Sequence, residues 1–576
     1  MQYICHLIFY MKPIFLLFLV FFISISLQAG TLDNIATIFN AKCGNSSCHG
    51  GNTPSASLNL SGNAGSIYQE LVGQHATTVW AQQQGMKLVE PGFPDRSFLY
   101  RKINKGLYHD STLPAGEAPG ENMPSGYGSP DLTDSERELV RQWIFFNAPQ
   151  TATVIDYNLI EQYYAGNGTP SIERPEPPAA GEGFQLYLGK IFLAPNAETE
   201  YIYKYPLNNA VGFEVTKIET TLDYFSHHLL FFKDRDGSIN QNNGLLEVGI
   251  FTGNSAITSD TKMIGGWAND GVLDLPAGTA YTWDENTILK YNYHLKNYSS
   301  TSVMGAEIYM NVYTQPIGTA LKEMHADFFI NINYLDYFIL PNTPKEIDLL
   351  VSGNDFEPAP PGEPDSLYIY LLGGHTHKWG TDYDMWLRNS DGTLGEQVYE
   401  GFYNFDYTIN QGFYDWSEPP TRLFNDGFAA TTRAGGIFTT ASYLNTGSTV
   451  TNFGLTTEDE MQGLFCQYLT GSIAALANLD TSAVSGITAA SPGTLEFFPN
   501  PAQSALYIHS IATPSHYEHI SIFNANGALI KQLIIEADDN SPISDPVLYV
   551  GDLPKGFYIL KMEGRGPTLA NKFIKE

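Results

Sequence analysis

Two histidines one residue apart close the apolar run Leu371-Leu-Gly-Gly-His375-Thr-His377. Alternate side chains of a strand share a face, so both imidazoles can reach one metal ion. About eighty residues on, the acidic turn Glu458-Asp-Glu460 leads through Met461 into a second apolar strand. Two imidazoles and a thioether suit copper, because soft sulfur favours Cu(I) while imidazole binds either oxidation state. An open position on such an ion admits dioxygen. Further upstream stands His227-His228-Leu-Leu-Phe-Phe. Consecutive side chains of a regular strand point to opposite faces, so both histidines reach one ion only where the backbone bends. Without a bend, one is buried and the other exposed. His294, in Leu289-Lys-Tyr-Asn292-Tyr-His294, is a further imidazole on a neighbouring strand pattern. Near the start of the chain, Cys43-Gly-Asn-Ser-Ser-Cys48-His49 carries two thiols followed directly by histidine. That order is the c-type haem arrangement, in which the sulfurs bond to the porphyrin and the imidazole ligates iron. The usual spacing has two residues between the cysteines and here there are four; a disulfide or a metal-binding turn is the plainer alternative.

The His-Thr-His strand, the Glu-Met strand and His227-His228 occur in the order found in the type II copper, ascorbate-dependent monooxygenases, and residues 182–475 resemble that peptidylglycine and dopamine monooxygenase group. The resemblance implies two copper sites on two β-sandwiches, one at His227, His228 and a third histidine, the other at His375, His377 and Met461. The family's third ligand falls in a pattern Leu-x-x-His-Tyr, where this chain has Asn292. Because His294 lies two residues along, it serves only if the strand slides or the copper moves. The peptide-hydroxylating relatives hold substrate carboxylate with an arginine where this chain has Gly373. Their asparagine and tyrosine after the methionine correspond to Gly463 and Phe465, so an amidation substrate is not expected. His325 reads as structural.

These side chains need scaffolds. A chain of 576 residues is too long for one core, and three or four domains follow. With 43% hydrophobic and 16% charged residues it is a folded chain, and its 53 Gly, 35 Tyr and 34 Phe lean towards β structure. A net charge of −31 argues against nucleic acid as a partner, since phosphate binding needs clustered Lys and Arg. Residues 30–150 read as a small all-α, cytochrome c-like haem domain. Leu32, Ile35, Ile38 and Phe39 fall at helical spacing before Cys43. A capping box at Thr133 and Glu136 opens a helix that ends before Pro149. The Met123-Pro124 loop ahead of that helix resembles the distal side of a small cytochrome c, which makes Met123 the sixth ligand; Met86 is the alternative. Thioether ligation raises the reduction potential and favours electron transfer.

Residues 151–182 read as a linker whose Pro/Gly-rich part makes a semi-rigid spacer. Short strands separated by turns then suggest two antiparallel, jelly-roll-like β-sandwich domains, over residues 183–345 and 346–480. A second linker, 481–494, precedes residues 495–576. Leu495-Glu-Phe-Phe-Pro499-Asn-Pro501, the strand Gly556-Phe-Tyr-Ile-Leu-Lys561 and the basic Lys572 and Lys575 resemble the C-terminal sorting domain of the type IX secretion system. A carbohydrate-binding β domain is the alternative. At the other end, Lys12, an apolar run from Pro13 to Leu27 and the small residues Ala29-Gly30 read as a secretory signal over residues 1–29, with Met11 an alternative start. The run is shorter than the ~20 residues of a spanning helix. Cys5 leaves with the signal, so Cys43, Cys48 and Cys466 remain and the cores must hold the fold.

The expectation is a multidomain protein exported through the periplasm to the surface or medium. It hydroxylates an organic small molecule with dioxygen at copper, draws electrons from an external donor through haem c, and engages the type IX secretion machinery. The rival expectation is a surface electron-transfer or copper-binding protein that keeps the scaffold without the chemistry.

Overall fold

The computed structural model describes residues 30–104, 123–124, 130–223, 226–234, 244–247, 261–267, 271–297, 299–402, 422–423, 429–454 and 458–476. In the C-terminal part it describes residues 495–498, 505–510, 517–524, 529–534, 547–551, 553–564 and 569–575. The signal segment, the 481–494 linker and the Pro499-Asn500-Pro501 turn lie outside the described residues, as does the side chain of His227.

Among the described residues the first domain has six helices: α1 Thr31–Lys42, α2 Ala64–Leu71, α3 Val79–Gln83, α4 Phe98–Ile103, α5 Asp134–Phe145 and α6 Tyr157–Gln162. Leu32, Ile35 and Phe39 of α1 pack on Leu139, Val140 and Trp143 of α5, so the spaced apolar positions become one core. The box at the start of α5 is closed: Thr133 Oγ1 accepts from Glu136 N at 3.2 Å and Glu136 Oε2 accepts from Thr133 N at 2.7 Å. The helix stops where Asn147 and Ala148 turn to positive φ.

The segment from residue 151 is not a free spacer. Ile160 of α6 is fully buried in the helical core, and Tyr163 stacks edge-on against Phe192 of the adjoining sandwich. Asn167 and Val303 exchange backbone bonds with their neighbours across that junction, and Pro175 and Glu176 carbonyls accept from Gln185 and Asn311. Proline removes donors but leaves carbonyls, and these strap the segment down.

The first sandwich comprises β1 Gly183–Leu193, β2 Glu198–Pro206, β3 Phe213–Leu222, β4 Ser226–Asp234, β5 Gly244–Glu247, β6 Thr261–Trp267, β7 Gly271–Asp274, β8 Thr279–Trp283, β9 Ile288–Lys296, β10 Met304–Pro316 and β11 Lys322–Glu323. One sheet runs β1-β10-β3-β8-β11 with β7 on β3; the facing sheet runs β5-β2-β9-β4-β6.

The second sandwich comprises β12 His325–Ile330, β13 Pro344–Val351, β14 Ser366–Thr376, β15 Gly380–Arg388, β16 Leu394–Phe402, β17 Arg422–Leu423, β18 Ala429–Thr432, β19 Ile437–Leu444 and β20 Gln462–Thr470. Its sheets are β12-β20-β14, with β17 and β18 on β14, and β13-β19-β15-β16. The sequence places the boundary at 345/346, whereas β12 already pairs along its whole length with β20. Short strands on either side of a boundary look alike, and only pairing assigns them.

Among the described residues the C-terminal domain has seven strands: β21 Leu495–Phe498, β22 Ala505–Ser510, β23 Tyr517–Asn524, β24 Leu529–Ile534, β25 Val547–Tyr549, β26 Gly556–Gly564 and β27 Leu569–Lys575. They pair as β21-β22-β25 and β24-β23-β26-β27 around Leu506, Ile522, Leu560 and Phe573. Among the described residues no helix is long and apolar enough to cross a membrane.

The helical domain and the second sandwich both pack on the first sandwich. Phe93 and Phe145 of the helical domain enter its core, with Phe145 5.1 Å from Tyr203. From the other side Ala326, Tyr370, Leu371 and Leu469 join the same apolar cluster.

Candidate metal centre

On β4 and β9 the antiparallel register sets His228 opposite His294, their ring centres 4.9 Å apart and planes inclined at 85°. The register slips between Ser226 and His228, so the backbone is irregular at His227, where two adjacent histidines require a bend. Asn292 faces Leu230 instead, and its Nδ2 donates to Glu200 Oε1 at 2.8 Å. The two-residue offset of His294 is therefore no obstacle: register brings His294, and not Asn292, to His228. His294 Nε2 donates to Glu198 Oε1 at 2.9 Å, which leaves the lone pair of the neutral ring on Nδ1. Lys296 Nζ donates to the other oxygen of Glu198 at 2.8 Å. Burial works to raise the Glu198 pKa, but the bonds from His294 and Lys296 outweigh it and bring it to about 2.

Strand β14 divides its side chains between two environments. Gly374 points at Tyr383 inside the second sandwich, where a Cβ would stand 2.7 Å from the ring. The alternate residues His375 and His377 therefore face the first sandwich. Their ring centres are 5.2 Å apart with planes at 89°. On β20, Gly463 pairs with His375 and Gln462 with Thr376; Met461 directly precedes that strand as His377 directly follows β14. Phe328 fills the space that Gly463 leaves, 2.4 Å from where a Cβ would be, and lies edge-on to His375 at 5.8 Å.

One buried carboxylate ties these two strands at the site. Glu460 accepts from the backbone N–H of His377 at 3.0 Å, of Met461 at 3.2 Å and of Trp379. Burial pushes its pKa up to about 8 against the pull of those three bonds. His377 is 3% exposed, and its Nδ1 has no hydrogen-bond partner among the described residues.

The two halves meet. His228 and His375 stand 6.0 Å apart, ring centre to ring centre, across the seam between the sandwiches. Burial first, then the neighbouring rings, hold the pKa values of His228 and His377 well below the ordinary imidazole value. Neutral imidazole is the form that ligates metal. Two imidazoles sharing one ion through nitrogens at about 2.0 Å have ring centres roughly 5 Å apart. The pairs His228/His294 and His375/His377 both have that spacing, so the donor set fits copper pairwise. Among the described residues no group of three or more His, Cys, Asp or Glu side chains stands positioned to hold one ion. Glu198, Glu200, Glu460 and Phe328 carry no motif; only the acidic turn before Met461 hinted at one of them.

In the helical domain Cys43 and Cys48 are free thiols rather than a disulfide. The loop folds back on itself, with His49 N donating to Cys43 O at 3.0 Å. His49 Nδ1 lies 3.1 Å from Ser55 O and 3.3 Å from Leu58 O. Carbonyls only accept, so Nδ1 carries the proton and Nε2 is left with the lone pair an axial ligand needs. Burial, reinforced by Cys48, raises the Cys43 thiol to about 12. Met123 packs, partly buried, on the core that contains Cys43, whereas Met86 is enclosed in a satellite cluster with Ala76, Ala81 and Phe98. Two thiols and a tautomerically set histidine fit a c-type haem.

Residues 496–576 match the secretion system C-terminal sorting domain. The chain is thus addressed for secretion by the type IX machinery. No curated protein matches the sequence. Among solved structures, a Faecalibacterium prausnitzii β-glucuronidase is 9% identical, with TM-score 0.14, over 40% of this chain and 36% of that one. The triple jelly-roll turret protein of an archaeal virus is also 9% identical, with TM-score 0.14, over 51% of this chain and 61% of that one. A Eubacterium rectale secreted protein has the same identity and TM-score over 47% and 69%. The chain spans less than two thirds of the first two, and likenesses this slight carry no argument.

Proposed function

We propose that this protein is an exported copper-dependent monooxygenase that hydroxylates an organic C–H bond, with a c-type haem in its helical domain passing electrons to the copper. The observation that supports the reading is the His375 and His377 ring pair, 5.2 Å apart, with the backbone N–H groups of His377 and Met461 held by one buried acceptor, Glu460. Copper held by two imidazoles and a thioether supplies dioxygen activation. The overall reaction, R–H + O2 + 2e− + 2H+ → R–OH + H2O, consumes two electrons from an external donor.

The chain's own residues have distinct parts. His375, His377 and Met461 hold one ion, and Glu460 fixes the distance between the strands that carry them. His228 and His294, with His227 at the backbone irregularity, hold a companion ion, and Glu198 orients His294. Phe328 covers the Gly463 side of His375 and keeps water from it. In the helical domain Cys43 and Cys48 would anchor haem, and His49 and Met123 would ligate its iron. A contact path joins the two regions: Phe146, next to α5, lies 5.8 Å from Tyr201, and Tyr201 pairs in register with Tyr293, the neighbour of His294.

Asn292, engaged with Glu200, and Gly373, in place of a substrate-binding arginine, favour a second reading: copper binding and electron transfer without hydroxylation. Oxygen uptake by the haem- and copper-loaded mature chain separates the two. Uptake with a reductant that fails in Met461→Ala, with haem reoxidised on the same timescale, supports the monooxygenase. Haem that cycles while the copper-loaded chain consumes no oxygen across a panel of organic substrates supports the second.

A further inference from the structure

We infer that the copper ligands of this chain form one binuclear centre built across the seam between its two β-sandwiches, rather than two separate sites. The inference rests on the copper reading above. Three observations carry it.

Spacing comes first. His228 and His375, from different sandwiches, are separated by 6.0 Å, little more than the 4.9 Å and 5.2 Å within each pair. Rings this close would set ions held by the two pairs beside one another, the condition for a two-metal site.

The seam is also closed. Leu371 and Leu469 of the second sandwich share one apolar cluster with Leu229 and Tyr293 of the first. Lys262 on β6 reaches Glu357 at 3.5 Å, and Lys322 reaches Glu363 at 2.6 Å, so charge pairs from the first sandwich meet the second. Continuous packing of this kind resists the rigid-body opening that would part the pairs.

Finally, each pair is held from behind by its own carboxylate, Glu198 beneath His294 and Glu460 beneath the His377 backbone. Such outer partners fix ring orientation before metal arrives. Both pairs are therefore built to keep the positions they have.

The test uses the full mature chain loaded with Cu(II), with copper counted by elemental analysis and its spins integrated by electron paramagnetic resonance. Two Cu(II) per chain with most of the signal missing is the expected result, because adjacent Cu(II) ions couple magnetically. His228→Ala and, from the other sandwich, His375→Ala should each lower the copper count and restore a full signal per remaining ion. His325→Ala, outside the cluster, should leave count and coupling unchanged. Two ions per chain with full intensity, or one ion only, overturns the binuclear centre while the monooxygenase reading stands. No bound copper overturns both.

Discussion

His228 and His375 present their rings to one another at 6.0 Å from strands of two different sandwiches. On the proposed copper reading, ligands drawn from both sides would make metal binding a clamp. An ion that binds the folded seam stabilises it by about 2.7 kcal/mol at a hundredfold excess over its Kd. Calorimetry should show the sandwich transition moving up when copper is added and back when it is chelated. His228→Ala and His375→Ala should each remove most of that increment. An increment lost in only one of them would mean that the two pairs bind independently.

Glu460 is the single acceptor for the N–H groups of His377 and Met461. Glu460→Ala leaves buried donors without partners, at a cost of roughly 3 kcal/mol. Glu460→Gln keeps one acceptor oxygen and the side-chain volume, so the fold should survive it. Copper affinity should nonetheless fall by about 10- to 100-fold, the usual effect of losing an outer-shell partner. Isothermal titration of the Gln variant with copper checks this, and an unchanged Kd would show that the clamp does not set ligand geometry.

Glu198 gives the copper-free protein a pH signature. Its folded pKa, about 2, lies below the ordinary 4.5, so the stabilisation is complete above about pH 4.5 and is lost as pH falls towards 2. Urea midpoints of wild type and Glu198→Gln should differ most above about pH 4.5 and converge only as the pH falls to about 2. A difference that stays constant with pH would point to a packing effect instead.

The chain displays its histidines more openly than their arrangement. Periodicity placed His375 and His377 on one strand face, and the capping box at Thr133 and Glu136 marked the start of α5. Both rest on local rules that the residues themselves obey. Register is different: that His294 rather than Asn292 faces His228 is set by how β4 and β9 pair along their length, which no spacing encodes. The straps along 167–176 and the pairing of β12 with β20 have no sequence signature for the same reason, since they are made by backbone groups of distant segments. Glu198 and Glu460 stayed hidden because a buried carboxylate and a solvated one look alike in sequence.

For the proposed haem two methionines of the helical domain, Met86 and Met123, are candidate ligands, and their surroundings separate them. Met86 is 8% exposed and packed among Ala76, Ala81 and Phe98, so its thioether fills a core. Met123 packs on the cluster that includes Cys43, in a loop anchored where Met123 N donates to Lys102 O at 2.6 Å. Met123→Ala should therefore change the haem and spare the fold. Loss of a thioether ligand lowers the reduction potential and opens the iron to carbon monoxide, and both are read spectroscopically. Met86→Ala should do the reverse, costing about 2–5 kcal/mol of domain stability with the haem spectrum intact. A potential that drops in Met86→Ala but holds in Met123→Ala would exchange the two assignments.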